Sequence, residues 1–460
     1  MATLSENADP RKFAAILPKK LGVQLCHARD TIATLPKNVV IVGGGIAGLA
    51  ASIYLARGGR TVTLFEKRRY LGGRAVTHLR HGYRFNLGPH AFYRGGEGSK
   101  VLGELGIPVR GGVARGKGIA LYGQERHTLP RNFFSLLTTG LLKGGDKLEA
   151  AKLLWRIRRL KKTAEFAEIS AREWLDANVT RARVRETLAA VIRLATYCDE
   201  LEKLQAAAAL NQVRLAMRGV IYIDEGWQKL VDALHSSAVT AGVNFVTSSR
   251  VIRVNHDGAV RGIEIGGLEF EQQSETQSYL MPQPGDMKGT RLAADTVLLA
   301  VEPATVRDMI GEVSWPRMTP VYMSTLDVAL SKLPNPKNTF ALGIDRPLYF
   351  SVHSRWAQLT PKGGALIHVS RYGGGDQTEL EGLLDEMQPM WRDSVVHCRF
   401  LPSMVVSYAL MPPAPATRPA SATPVRGLYL AGDWVGDTGL LSDAALSSAR
   451  SAARAILASE

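Results

Sequence analysis

The chain has 460 residues, 45% of them apolar and 22% charged, which is enough to bury a sizeable core in two or three units and excludes a disordered or fibrous protein. Cys26, Cys198 and Cys398 stand far apart, without a CxxC pair or a neighbouring ligand residue, so neither a disulfide framework nor a metal site is expected. The formal net charge of +15 is scattered along the chain, and with no basic stretch interleaved with aromatics a nucleic-acid partner is not expected.

Residues 1–37 form an extension with no assignable role. Its opening, MATLSENADPRKF, lacks the apolar segment of a signal peptide, and the expectation is a cytoplasmic protein. The apolar run 39–56 approaches the length of a membrane span but is rich in glycine, and it reads better as strand, turn and helix. Asn38–Val42, NVVIV, is a buried-strand pattern that runs into GGGIAG. There Gly43, Gly45 and Gly48 supply the GxGxxG spacing: a tight turn, a bare backbone for a pyrophosphate, and close packing of a helix over 49–57. The positive end of that helix, at Ala47, faces the phosphates. A second strand, Thr61–Phe65, ends in Glu66, placed to accept hydrogen bonds from ribose hydroxyls. Lys67, Arg68 and Arg69 follow as loop charges, Lys67 beside the site.

Residues 70–77 read YLGGRAVT. This resembles the RxGGRxxT motif of the flavin amine oxidase, protoporphyrinogen oxidase and phytoene desaturase superfamily, with Tyr70 where Arg is common. The resemblance implies FAD, held non-covalently, rather than NAD. Gly73 allows the backbone to approach the cofactor, and Arg74 is suited to neutralise a phosphate. The stretch 85–92, FNLGPHAF, resembles the family segment near the isoalloxazine and brings Gly88, Pro89 and His90 to it, with Asn86 where Asp is usual. Residues 101–217 read as mostly helical, with a capping box at Ser170 and Glu173. The stretch 221–234, IYIDEGWQKLVDAL, resembles the family's aromatic, glycine and helix segment, and Val251 stands where a valine clasps the adenine. The polar stretch 271–291 and the proline-rich 412–424 read as loops, and the runs between 315 and 410 as a sheet. Near the C-terminus GLYLAGDW and the helix pattern after it resemble the family's closing motif. Gly432 and Asp433 are thereby implied at the ribityl-pyrophosphate region, and a helix N-terminus at Leu441 and Ser442, capped by Ser442 or Asp443, at the flavin N1–C2=O edge.

The expected fold is a Rossmann-like α/β FAD domain from residues 38–100, 218–305 and 424–460. An interleaved substrate domain of sheet plus helices (α+β) comes from 101–217 and 306–423. One complete dinucleotide fingerprint is present, so no second site serves NAD(P)H, and reoxidation by oxygen or a quinone-like acceptor is expected.

The C-terminal motif resembles the phytoene and squalene-associated desaturase branch. That implies desaturation or dehydrogenation of a lipophilic metabolite by hydride transfer to flavin N5. A flavin amine oxidase acting on a C–N bond and a flavin-dependent isomerase without net redox stay open, as does a non-enzymatic scaffold. In amine oxidases a lysine-held water is implied, and Lys332 reads as a loop residue. Candidates for the chemistry are His90, Trp434 and Tyr408, with Tyr372 also able to face the cavity; no base is assigned. The run 152–162, KLLWRIRRLKK, is amphipathic: either a solvated face or, with FFSLLTTGLL before it, a peripheral membrane contact.

Overall fold

The structure, a computed structural model, describes residues 38–160, 163–266, 289–311, 315 and 317–459. The extension 1–37, most of the loop 271–291 and the end of the basic run, Lys161 and Lys162, lie outside the described residues.

Five parallel strands form the first sheet, in the order Asn244–Val246, Thr61–Phe65, Asn38–Val42, Thr296–Leu299, Leu428–Leu430. The central strands are continuous apolar runs because the sheet is covered on both faces. One face packs against helices Ile46–Arg57, Gln228–Thr240 and Leu441–Ala458, with Ile53, Leu234 and Ala449 in that core. The other packs against a three-stranded antiparallel sheet, Val251–His256, Val260–Ile265 and Thr290–Ala293, and the helix Pro303–Ile310.

A second large sheet has seven strands, in the order Val395–Ser407, Val321–Leu330, Ala365–Tyr372, Leu348–Val352, Phe340–Gly343, Ile119–Tyr122, Glu125–Thr128. Leu380, Leu384 and Met387 of helix Gln377–Met387 cover one face. Toward the other lies a helical layer that includes Gly144–Arg159, Ala171–Asn178, Ala182–Thr196 and Ala206–Ala216. The capping box is present: Ser170 Oγ accepts from the Glu173 N–H at 3.1 Å, and Glu173 accepts from the Ser170 N–H at 2.7 Å.

Three local expectations are corrected. Residues 111–128, expected within a mostly helical stretch, contain three short strands, because Ile119–Tyr122 finds a parallel partner in Phe340–Gly343 more than 200 positions away. The first helix begins at Ile46 instead of residue 49, since Gly48 belongs to its first turn. The last helix begins at Leu441 with Leu440 as an N-cap lacking a side-chain hydrogen bond. Asp443 does not cap it, because its carboxylate accepts from the Gly98 N–H at 2.9 Å, at the start of helix Glu97–Leu105.

Candidate functional site

A cavity of about 460 Å³, within the usual range for a ligand site, is lined by the C-terminal ends of the parallel strands on one side and by the seven-stranded sheet on the other. The glycine turn forms one wall from backbone. Gly43 has φ +108°, and a Cβ there would stand 2.5 Å from the Ala300 carbonyl oxygen, so only glycine turns the chain at this point. A Cβ on Gly45 would meet nothing within 4 Å, which leaves its backbone bare against the cavity. Helix Ile46–Arg57 follows with no side-chain cap and no acid in its first turn. Its orphan N–H donors, at Ile46 and Ala47 on the cavity wall, suit a pyrophosphate. Gly48 lies off the cavity; a Cβ there would sit 2.0 Å from the Gly43 carbonyl oxygen, so it lets the helix rest on the turn.

Glu66, buried at the end of the second strand, accepts from the Gly44 N–H at 2.7 Å and the Arg68 N–H at 2.9 Å. It braces the glycine turn, and each carboxylate oxygen retains acceptor capacity toward the cavity it lines. Lys67 stands beside it at the rim and Val251, at the start of its strand, faces it across the cavity wall.

Gly73 and Arg74 line the cavity from a short 3-10 turn. Arg74, expected to meet a phosphate, has a protein anion instead: Nη2 donates to Asp433 Oδ1 at 2.7 Å and Nη1 to the Val406 carbonyl at 2.8 Å. Burial works to lower the guanidinium, but the Asp433 charge and hydrogen bond outweigh it and raise it. The guanidinium also lies 4.4 Å from the Tyr408 ring centroid, a cation–π contact. Asp433 accepts a second bond from the Tyr408 N–H at 3.0 Å, so its carboxylate is held on both sides. Gly432 precedes it on the wall, and Leu441 and Ser442 bring a second uncapped helix start to the same cavity.

Tyr408 donates its hydroxyl to Glu302 Oε2 at 2.7 Å, and burial with that bond pushes the phenol well up. Burial alone would raise Glu302, but the Tyr408 and Thr305 hydroxyls and the Lys67 and Arg74 charges hold it below the usual carboxylate range. Trp434 lines the cavity while largely buried, and its indole N–H donates to the Val301 carbonyl at 2.9 Å, so it turns an apolar face to the site. Tyr372 is buried and does not line the cavity.

His90 does line it, beside Pro89. Its Nδ1 lies 3.2 Å from the Gly88 carbonyl and its ring 5.1 Å from Trp227, edge to face. Burial pushes this imidazole down to about 4, so it is neutral at neutral pH. Gly88 itself faces away, with Met404 and Thr325 over its Cα. Asn86 serves as an amide: its Oδ1 accepts from the Thr77 hydroxyl at 2.7 Å and the Trp227 N–H at 3.0 Å.

Glu302, Thr305, Tyr197, Met404 and Val406 also line the site and were not expected from sequence. For Glu302 a signal existed: TVLLAVE places an acid just beyond a buried strand, as TVTLFE does for Glu66. Met404 and Val406 reach the site through the long-range pairing of their strand.

Residues 46–457 match the family model described as flavin containing amine oxidoreductase. A protein of Mycobacterium tuberculosis named as a flavin-containing monoamine oxidase, AofH, is 26% identical over 247 residues, 48% of this chain and 52% of that protein. The alignment thus spans about half the length of that curated relative. The carotenoid 3,4-desaturase of Haloarcula japonica is 51% identical over 53 residues, 12% of this chain and 11% of that one. An oxidoreductase of Methanosarcina mazei superposes with a TM-score of 0.68 at 17% identity, covering 90% of this chain and 99% of that one.

Proposed function

Because the chain belongs to the flavin containing amine oxidoreductase family, with FAD as its cofactor, we propose that it is an oxidoreductase that dehydrogenates or desaturates an apolar metabolite and passes the electrons to oxygen or a quinone-like acceptor. Bound flavin supplies an acceptor for a hydride equivalent at N5. Residues 38–100, 218–305 and 424–460 hold it non-covalently. The backbone at Gly43, Gly45 and Ala47 takes the pyrophosphate, Glu66 the ribose and Val251 the adenine. Gly73, Gly432, Asp433 and the helix start at Leu441 and Ser442 take the ribityl and flavin edge. Arg74 and Tyr408 hold Asp433 in place, and residues 101–217 and 306–423 enclose the substrate and exclude water.

One observation carries the substrate class. The wall built by Leu87, Tyr197, Met404, Val405, Val406 and Leu441 offers mostly apolar side chains, the Arg74 guanidinium bonded to the Val406 carbonyl is already paired with Asp433, and among the described residues the one lysine that lines the cavity is Lys67, at the strand end beside Glu66. Lys332 is exposed and off the cavity, so it is not placed to hold the water expected of an amine oxidase. The likeness to AofH over 247 residues keeps a C–N substrate as the second reading. Anaerobic mixing of the holoenzyme with polyenes and with amines, followed at the visible flavin band, separates them. Bleaching by a polyene is expected, and bleaching by amines alone would overturn the first reading.

The apolar substrate is met at an anionic bilayer. Phe134 and Trp155 are 75% and 56% exposed, with Leu137 and Leu148, on helices Phe133–Thr138 and Gly144–Arg159. Lys152 and Arg159 share the Leu148–Trp155 face, opposite the buried Leu153 and Ile157. Exposed apolar side chains ringed by cations suit anionic lipid headgroups. No helix among the described residues is long and apolar enough to cross a membrane.

A further inference from the structure

Four neighbouring strands of the seven-stranded sheet place a row of polar residues side by side. Arg399 opposes Asp327, Asp327 opposes His368, and His368 opposes Ser351. Directly opposed residues share one face of a sheet, and Asp327 and His368 there are fully buried. Burying ionisable groups in the middle of a sheet is costly unless each is paired. Asp327 is paired twice, accepting from His368 Nδ1 at 2.5 Å and from the Arg399 guanidinium. Burial works to raise its carboxyl, but the His368 and Arg399 contacts outweigh it and hold it below the usual range.

The histidines are not satisfied. A carboxylate only accepts, so His368 donates from Nδ1 and turns Nε2 away from Asp327. That Nε2 is buried without a partner, as is Nδ1 of His353. The two rings lie 4.3 Å apart, and His353 is stacked on Tyr222 at 3.9 Å with Nε2 3.0 Å from the Tyr349 hydroxyl. Buried polar atoms left open in this way mark a place for water or a mobile proton. The row also touches the segment that carries His90 to the cavity: Arg399 donates to the Asn86 carbonyl, and Gly88 packs on Met404 and Thr325. Thr325 lies two residues before Asp327, on the same face.

We propose that Asp327, His368 and His353 form a buried proton relay that reaches the cavity at His90. The proposal rests on the oxidative reading above. Removing two hydrogens from a substrate releases a hydride equivalent, which goes to the cofactor, and a proton, which needs a protein acceptor. His90 takes that proton at the cavity, and water at the open Nε2 of His368 carries it on to that ring, whose charge Asp327 then balances. When oxygen or a quinone-like acceptor is reduced by two electrons, it takes up two protons, and the relay returns the one it holds. His90 is the catalytic residue in this scheme; Asp327, His368 and His353 act through it as positioning residues.

The groups facing the relay are Arg399 from the neighbouring strand, Tyr349 and Tyr222 around His353, and Arg74 near His90. Burial first, and the neighbouring imidazoles next, hold His353 toward its neutral form.

The test is the midpoint potential of the bound flavin as a function of pH, measured by dye-coupled reduction of the holoenzyme without substrate. Wild type is expected to show a break in the pH dependence, with proton uptake at the relay, and Asp327→Asn and His90→Gln to lose it at equal flavin content. If Asp327→Asn does not retain flavin, His353→Gln, which leaves the Asp327 ion pair intact, carries the same expectation. A pH dependence identical to wild type in flavin-replete variants would overturn the relay. Because no substrate enters, failure of every polyene to bleach the flavin would count against the oxidative reading alone.

Discussion

The glycine turn and the polar row behind the cavity are both built for charge, by opposite means. At the turn, residues 43–48 offer backbone N–H groups, and side chains matter mainly by being absent. In the row, Arg399, Asp327, His368 and Ser351 come from four strands, and side chains place the charges. A backbone site is tolerant of charge and intolerant of added volume. A side-chain site has the reverse sensitivity.

The largest test of that contrast is Gly43→Val. A β-branched residue at φ +108° against the Ala300 carbonyl is expected to cost about 1–3 kcal/mol through overpacking, and FAD binding should weaken by about ten- to a hundredfold. Flavin retained after gel filtration measures it, and full retention would break the backbone account.

Asp443 sharpens the comparison, because there a side chain does a backbone's work at the start of helix Glu97–Leu105. Burial pushes its carboxyl up to about 6 from 3.8. A carboxyl raised in the folded state stabilises below its unfolded value, and that contribution is lost as pH rises through the folded value. Relative to Asp443→Asn, wild type should therefore lose roughly 2 kcal/mol of stability between about pH 4 and pH 7. Urea unfolding at both pH values reads this, and a constant difference would refute it.

A smaller effect is expected from Asp433→Asn, which keeps one acceptor but removes the Arg74 counter-charge. FAD titration by fluorescence quenching should show a loss of about 2 kcal/mol; affinity unchanged within error would mean that Arg74 finds its partner in the cofactor. The smallest effect on the core should come from Trp155→Ser with Leu148→Ser, outside both regions. Flavin content should stay at wild-type level while sedimentation with anionic vesicles falls severalfold, and unchanged sedimentation would remove the membrane face.

The two regions also differ in how far they could be read from the chain. Gly43 to Glu66 was legible because strand, turn, helix and acid lie within 30 positions and each has a local signature. Gly432 and Asp433 were legible from the motif around them. The strand Ile119–Tyr122 was not, since its flanks are glycine-rich and its partner, Phe340–Gly343, is remote. Asp327 and His368 sat in plain strand patterns, and nothing marked them until the register opposed them. Arg74 carried a phosphate expectation because the sequence cannot show that Asp433 turns toward it.

The edge of the parallel sheet has a consequence for biogenesis. Leu428–Leu430 completes that sheet beside Thr296–Leu299, and Asp433 follows at once. During synthesis, the glycine turn and Glu66 emerge long before Gly432 and Asp433, which line the same cavity. A chain cut before residue 428 would lack both the strand Leu428–Leu430 and the Gly432–Asp433 wall of the cavity.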